Sequence, residues 1–116
     1  MLPPEHRLRS TSLFGETVRR GRKKGSRTVV VYLYARTDQV VTGGPRMGLV
    51  VSKAVGNAVT RHAVSRRLRH VTADLLGDVP LEPWHTLVIR ALPASGDATS
   101  AELASDVRRA LRRLTD

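Results

Sequence analysis

Residues 52–77 read SKAVGNAVTRHAVSRRLRHVTADLLG, and the reading of this stretch decides how the rest of the chain is arranged. Gly56 and Asn57 make a turn. Asn57 is a good N-cap, because its side-chain oxygen accepts from a free N–H of the first helical turn. The spacing predicts a helix over residues 58–76, with Gly77 in the left-handed C′ position. Val64, Leu68, Val71 and Leu75 recur at the interval of one buried face. His62, Arg66 and Arg69 fall on the other side, Arg67 and His70 lie further round, and Lys53 sits just ahead of the turn. One helix thus joins a core stripe to a cationic strip.

A basic helix face is most often simply solvated. Three features argue for polyanion binding here. No Asp or Glu interrupts the run from Lys53 to His70, so no i,i+4 partner offsets the repulsion. Arginine predominates over lysine, and its planar fork suits phosphate. The helix N-terminus adds backbone donors and a positive dipole end beside Lys53 and Asn57.

At 116 residues the chain is expected to form a single domain over 1–116, with residues 1–9 a flexible arm in which Pro3 and Pro4 oppose helix. An apolar content of 41% is too high for a disordered tail. The formal charge is +10, from 20 Lys and Arg against 10 Asp and Glu, which favours an anionic partner. A membrane partner is not expected, since there is no apolar run of spanning length and no basic start followed by an apolar block. The absence of cysteine excludes a disulfide framework and fits a cytoplasmic protein.

Upstream of the central stretch, a short helix is expected over residues 13–20, with Ser12 as N-cap and Gly21 as C′. Leu13, Phe14, Thr17 and Val18 form its apolar side, and Gly15 weakens it by about 1 kcal/mol relative to Ala. The run RRGRKKGSR at 19–27 is a basic loop that can hold a short pairing strand near residues 22–27. TVVVYLYA at 28–35 is the strongest strand signal, with Tyr32 and Tyr34 on one face and Val29, Val31 and Leu33 on the other. TGGP at 42–45 is a turn, and RMGLVVS at 46–52 is a second strand. A Pro-broken loop at 78–84 leads to a third, TLVIRAL, at 86–92. After a loop at 93–98, Thr99 and Glu102 form a capping box for a last helix over 100–114. Its buried stripe is Leu103, Val107, Ala110, Leu111 and Leu114. Arg108, Arg109, Arg112 and Arg113 complement its C-terminal dipole in part. This order of elements argues an α+β domain with helices on a small sheet.

No enzyme signature is visible. His6, His62, His70 and His85 lack metal-ligand spacing, and neither a nucleophile elbow nor a P-loop occurs. The carboxylates are scattered, whereas two-metal nuclease chemistry needs them clustered. Four aromatic residues, Phe14, Tyr32, Tyr34 and Trp84, allow only a few stacking contacts to a single strand.

The run RMGLVVSKAVGNAVTRHAVSRRLR at 46–69 resembles the signature of the bacterial ribonuclease P protein subunit. That signature has a strand ending in V-S-K, a G-N-A-V turn and a basic helix beginning R-N-R. Val51, Ser52, Lys53, Gly56, Asn57, Ala58, Val59, Arg61, Arg66 and Arg69 match it. Arg7, Leu8, Phe14, Val30 to Tyr32, Arg90, Pro93 and Ala94 match the family's flanks. Departures occur where R-N-R reads Arg61-His62-Ala63, where Ser65 replaces a common Lys, and where a Lys pair reads Lys53-Ala54. Val18 stands where the family often has an aromatic, and Arg67 restores some charge.

The resemblance implies a small mixed four-stranded sheet with three helices. It also implies a likeness to the second domain of ribosomal protein S5 and a left-handed strand–helix–strand crossover. It implies a subunit of ribonuclease P, an endoribonuclease whose RNA subunit performs the hydrolysis with Mg2+ that the RNA mainly holds. No catalytic residue and no metal ligand are then expected in the protein. Its partners would be the catalytic RNA and precursor tRNA, with no obligate protein partner. Lys53, Asn57, Arg61, His62, Arg66, Arg67 and Arg69 would face the catalytic RNA or its metals. Phe14, Val18 and Tyr32 would line a cleft for the 5′ leader of the precursor, so that Tyr32 need not be core. Two other classes compete: a structural RNA-binding protein of ribosomal type, which explains the charge equally well, and a protein that is itself a nuclease.

Overall fold

A computed structural model describes residues 11–35, 45–78 and 81–115 of the chain. The elements follow the expected order: α1 (Thr11–Arg20), β1 (Arg22–Gly25), β2 (Val29–Ala35), β3 (Arg46–Val50), α2 (Ala58–Leu75), β4 (His85–Ala91) and α3 (Ser100–Thr115). Short 3₁₀ turns at Lys53–Val55 and Pro93–Asp97 precede α2 and α3. The four strands form one mixed sheet in the order β1-β2-β4-β3. β2 lies antiparallel to both β1 and β4, while β3 and β4 are parallel neighbours joined through α2. The expected arm at residues 1–9 and most of the expected turn at 42–45 fall outside the described residues.

Strand alternation divides the sheet into two faces. Val29, Val31, Leu33, Met47, Leu87, Ile89 and Ala91 join one core cluster with the stripes of α2 and α3. Every residue of the expected stripes is buried: Val64, Leu68, Val71 and Leu75 on α2, and Leu103, Val107, Ala110, Leu111 and Leu114 on α3. The opposite face carries Tyr32, Tyr34, Thr86 and Arg90, and α1 crosses part of it. Two contacts fix that crossing. Thr17 Oγ1 donates to the Leu13 carbonyl (2.8 Å) and shares a hydrogen bond with Thr86 Oγ1 (2.7 Å). The Tyr34 hydroxyl donates to Glu16 (2.7 Å).

The helix ends differ from expectation in two places. α1 already includes Thr11, so Ser12 lies within its first turn and is not the cap. Among the described residues Gly56 alone has a positive φ, at 153°, so neither Gly21 nor Gly77 is a left-handed cap. Gly21 N–H continues the helical ladder to the Thr17 carbonyl (3.0 Å). Its glycine character serves close approach, because a Cβ there would sit 2.5 Å from the Thr17 oxygen and 2.8 Å from the Leu33 oxygen. At the end of α2, Leu76 remains right-handed, and Asp78 N–H closes a tighter turn on Leu75. The capping box forms as read: Thr99 N–H donates to Glu102 (2.9 Å) and Glu102 N–H donates to Thr99 Oγ1 (3.1 Å). These bonds hold the Glu102 carboxyl below its ordinary range.

Ahead of β4, the Glu82 N–H donates to His85 Nδ1 at 2.8 Å, which requires an unprotonated nitrogen there. Burial pushes this imidazole below its ordinary value of 6.5, with Glu82 opposing the shift in part. A base whose folded-state value is lowered stabilises the fold fully above that ordinary value, and the contribution is lost as pH falls through the folded one. Stability should therefore decline as pH drops below about 6.5. In denaturant titrations over that range, His85→Asn, which keeps an acceptor, should give a flatter curve. Leu68 is fully buried. Leu68→Ala should cost about 2–5 kcal/mol in the same assay, whereas Arg66→Ala on the opposite face should change stability by less than about 0.5 kcal/mol.

Candidate nucleic-acid interface

The N-terminus of α2 is built by local chemistry. β3 ends at Val50, and the chain turns through Lys53–Val55. The extended, positive-φ conformation of Gly56 then delivers Asn57 to the cap position. Asn57 Oδ1 accepts from Thr60 N–H at 2.9 Å, as the sequence predicts. Lys53 and Asn57 are both exposed beside this end, where the first-turn donors and the helix dipole favour an anion.

Along α2, packing of the apolar stripe sets the direction of every other side chain. His62, Arg66, Arg69 and His70 are exposed on the far side. Neither these four nor Lys53 has an ion pair among the described residues. Of the acids that follow in sequence, Asp78 is paired with Arg108 (3.6 Å), and exposed Asp74 makes no ion pair with the row among the described residues. Lys53, Arg66 and Arg69, at this spacing and without a neutralising partner there, meet a phosphate backbone as charge-assisted donors.

Two residues of the expected set differ from the other five. Arg61 is only half-exposed, and its Nε is buried without a hydrogen-bond partner. It stands three residues before Val64 and seven before Leu68, so its stem shares the edge of the buried stripe. Its helical angle, at the edge of that stripe, is the sequence signal for this partial burial of a residue assigned to face the RNA. Arg67 is half-buried and donates from Nη1 to the Ala98 carbonyl (3.2 Å), tying α2 to the loop before α3. Part of its donor set is thus used inside the fold.

The departure at residues 61–63 has a surface consequence. Val59 is 79% exposed and lies with Ala58 and Ala63 in a shallow hollow edged by His62 and Arg66. Ala63, where the family pattern has an arginine, widens this apolar hollow, whose Ala58 and Val59 belong to the pattern itself.

On the other side of the sheet, Tyr32 is buried at 6% exposure, contrary to the expectation that it need not be core. Its ring is covered from the solvent side by Arg90, whose guanidinium carbon lies 5.6 Å from the ring centroid. Phe14 and Val18 are half-exposed on one flank of α1, four residues apart. The Tyr34 edge of the same face is closed by Glu16 and by Arg20, which lies 6.0 Å over the Tyr34 ring. The surface between α1 and the sheet thus pairs a partly open apolar flank with cations. Sequence reading missed Arg90 and Lys23 here. Alternation in TLVIRAL puts Arg90 on the face of Thr86. Lys23 is the Cα partner of Tyr32, which only the β1 register shows.

Among the described residues no three His, Cys, Asp or Glu side chains lie close enough together to hold a metal ion. No helix among the described residues is long and apolar enough to cross a membrane.

A family model described as Ribonuclease P matches residues 2–115. A ribonuclease P protein component of Corynebacterium jeikeium is 54% identical, the match covering 97% of this chain and 97% of that protein. The ribonuclease P protein component of Rhodococcus opacus is 53% identical, covering 98% and 92%. Among solved structures, the Staphylococcus aureus RNase P protein superposes with a TM-score of 0.76 at 22% identity, covering 92% and 93% of the two chains. The Thermotoga maritima RNase P protein gives 0.74 at 20% identity, covering 92% and 96%. At that identity the two structures bear on the fold alone.

Proposed function

Because this chain belongs to the ribonuclease P protein family, we propose that it binds the catalytic RNA of ribonuclease P and the 5′ leader of precursor tRNA, and so supports removal of the leader. The observation that carries this reading is the outward row His62, Arg66, Arg69 and His70 on α2, without carboxylate partners among the described residues and backed by a fully buried stripe. Lys53, Asn57 and Arg61 extend the row toward the capped end, and Arg67 lies beside it. Phe14 and Val18, with Tyr32 and Arg90 beneath, are assigned to the leader. Arg90 over the Tyr32 ring leaves a cation rather than an open aromatic face at the cleft surface, so phosphate contact dominates over stacking on Tyr32.

The role follows from electrostatics. The catalytic RNA and the precursor are both polyanions and repel each other. A protein carrying +10 placed between them lowers that repulsion and holds the leader without touching the scissile bond. Hydrolysis belongs to the RNA, with Mg2+ supplying the activated water and charge neutralisation there. On this reading the protein contributes position.

Three measurements test the reading. Precursor-tRNA cleavage at low magnesium by the cognate catalytic RNA should rise strongly on adding the protein, and the gain should shrink as the 5′ leader is trimmed. A gain insensitive to trimming would undo the assignments of Phe14, Val18 and Tyr32. No gain with RNA binding intact would point to a structural RNA binder. For about 6–10 phosphate contacts, log affinity for the catalytic RNA should fall against log salt with a slope of about −4 to −9. Arg66→Ala and Arg69→Ala should each reduce that slope by about 1 while leaving the melting curve in place.

A further inference from the structure

A second cationic surface lies at the edge of the sheet away from α2. Among the described residues β1 is paired on one side only, with β2. Beyond it, an open groove of about 480 Å³ runs between β1 and α3, lined in part by Lys24, Gly25, Arg27, Asp106, Arg109 and Arg113. Four cations there face one carboxylate. Asp106 is already engaged, accepting from Thr28 Oγ1 at 2.6 Å and lying 3.6 Å from Arg109. The neighbouring Glu102 is held by its capping box and by Arg27 (3.0 Å). Lys24 and Arg113 have no ion pair among the described residues.

Strand alternation links this groove to the face that carries Tyr32. Lys23 is the Cα partner of Tyr32 and shares its side of the sheet, next to α1. Lys24, the next residue, points to the opposite side and lines the groove with Arg109 and Arg113. One strand spacing of about 4.8 Å separates β1 from β2. A single strand leaving the Tyr32 face would therefore meet Lys23 at the lip, the exposed backbone edge of β1, and then Lys24, Arg113 and Arg109 in succession. At Gly25 nothing stands nearer to a would-be Cβ than 3.9 Å, so the backbone there is open to approach. Lysines on an edge strand also deter strand-to-strand association. That role accounts for Lys23 and Lys24 but not for the arginines across the groove.

We propose that the groove between β1 and α3 holds the distal part of the precursor's 5′ leader, which crosses the β1 edge from the Tyr32 side. This rests on the leader reading given above. The groove lining has no aromatic side chain. The contact is to phosphates, independent of base sequence and dependent on salt.

The test uses the complex of this protein with its catalytic RNA and a series of precursor tRNAs with leaders of increasing length. Wild-type affinity should keep rising beyond the leader length at which Phe14→Ala has its full effect. The double variant Lys24→Ala/Arg113→Ala, with its melting curve checked, should lose about fivefold in affinity for long leaders, with a salt slope smaller by about 1 to 2. The deficit should diminish as the leader shortens. A deficit equal at every leader length, or one that appears in affinity for the catalytic RNA alone, would assign the groove to the RNA subunit and overturn the proposal. No deficit at any length would show a solvated face and overturn it equally. If Phe14→Ala and leader length are both without effect, the leader reading itself fails, a result distinct from failure of the groove alone.

Discussion

The structure depends on how the apolar stripe of α2 is buried against the sheet. Val64, Leu68, Val71 and Leu75 share one core cluster with Met47, Leu87 and Ile89. Their burial fixes the rotation of the helix about its own axis to within the width of a side chain. A helix is a rigid cylinder, so that rotation also fixes where Arg66 and Arg69 point. Affinity for a polyanion is set here by packing on the side the polyanion never touches. The Asn57 cap does the same for position along the axis, because it settles where the helical donors begin.

The sheet has a division of labour. The face toward α2 and α3 is aliphatic and closed. The other is only partly covered by α1 and mixes Tyr32, Tyr34, Thr86 and Arg90. Two threonine hydroxyls, one on α1 and one on β4, lock the crossing of α1 while leaving its Phe14 and Val18 flank half-open. A polar lock is suited to this task, since a broader apolar contact there would have closed the surface altogether.

Much of this was legible in the sequence because it is local. The stripes of α2 and α3, the Asn57 cap, the capping box at Thr99 and Glu102, and the two faces of β2 follow from spacing within a few residues. Several of the errors share a different origin. Tyr32 is covered by Arg90, Arg67 is held by the Ala98 carbonyl, and Gly21 is fixed by the approach of the Leu33 oxygen. Each depends on chain far away in sequence. The groove between β1 and α3 is the extreme case, since its two walls come from opposite ends of the described chain. The hollow beside Val59 was different, because Ala63 already marked a departure and only the shape around it was missing.

The strand order carries a consequence for how the chain is made. β4 pairs with both β2 and β3, yet only α3 follows it in sequence. Until β4 is in place, β3 has no described neighbour in the sheet and the α2 stripe has only part of its floor. On a ribosome that releases the chain from its N-terminus, β1 and β2 can pair early as neighbours in sequence, but β3 and the α2 stripe must wait for β4 to emerge. Closure then joins distant segments in one step, which favours slow, all-or-none folding over stepwise growth. During that interval the cations that later line two surfaces belong to an open chain of high positive charge, in a setting rich in RNA.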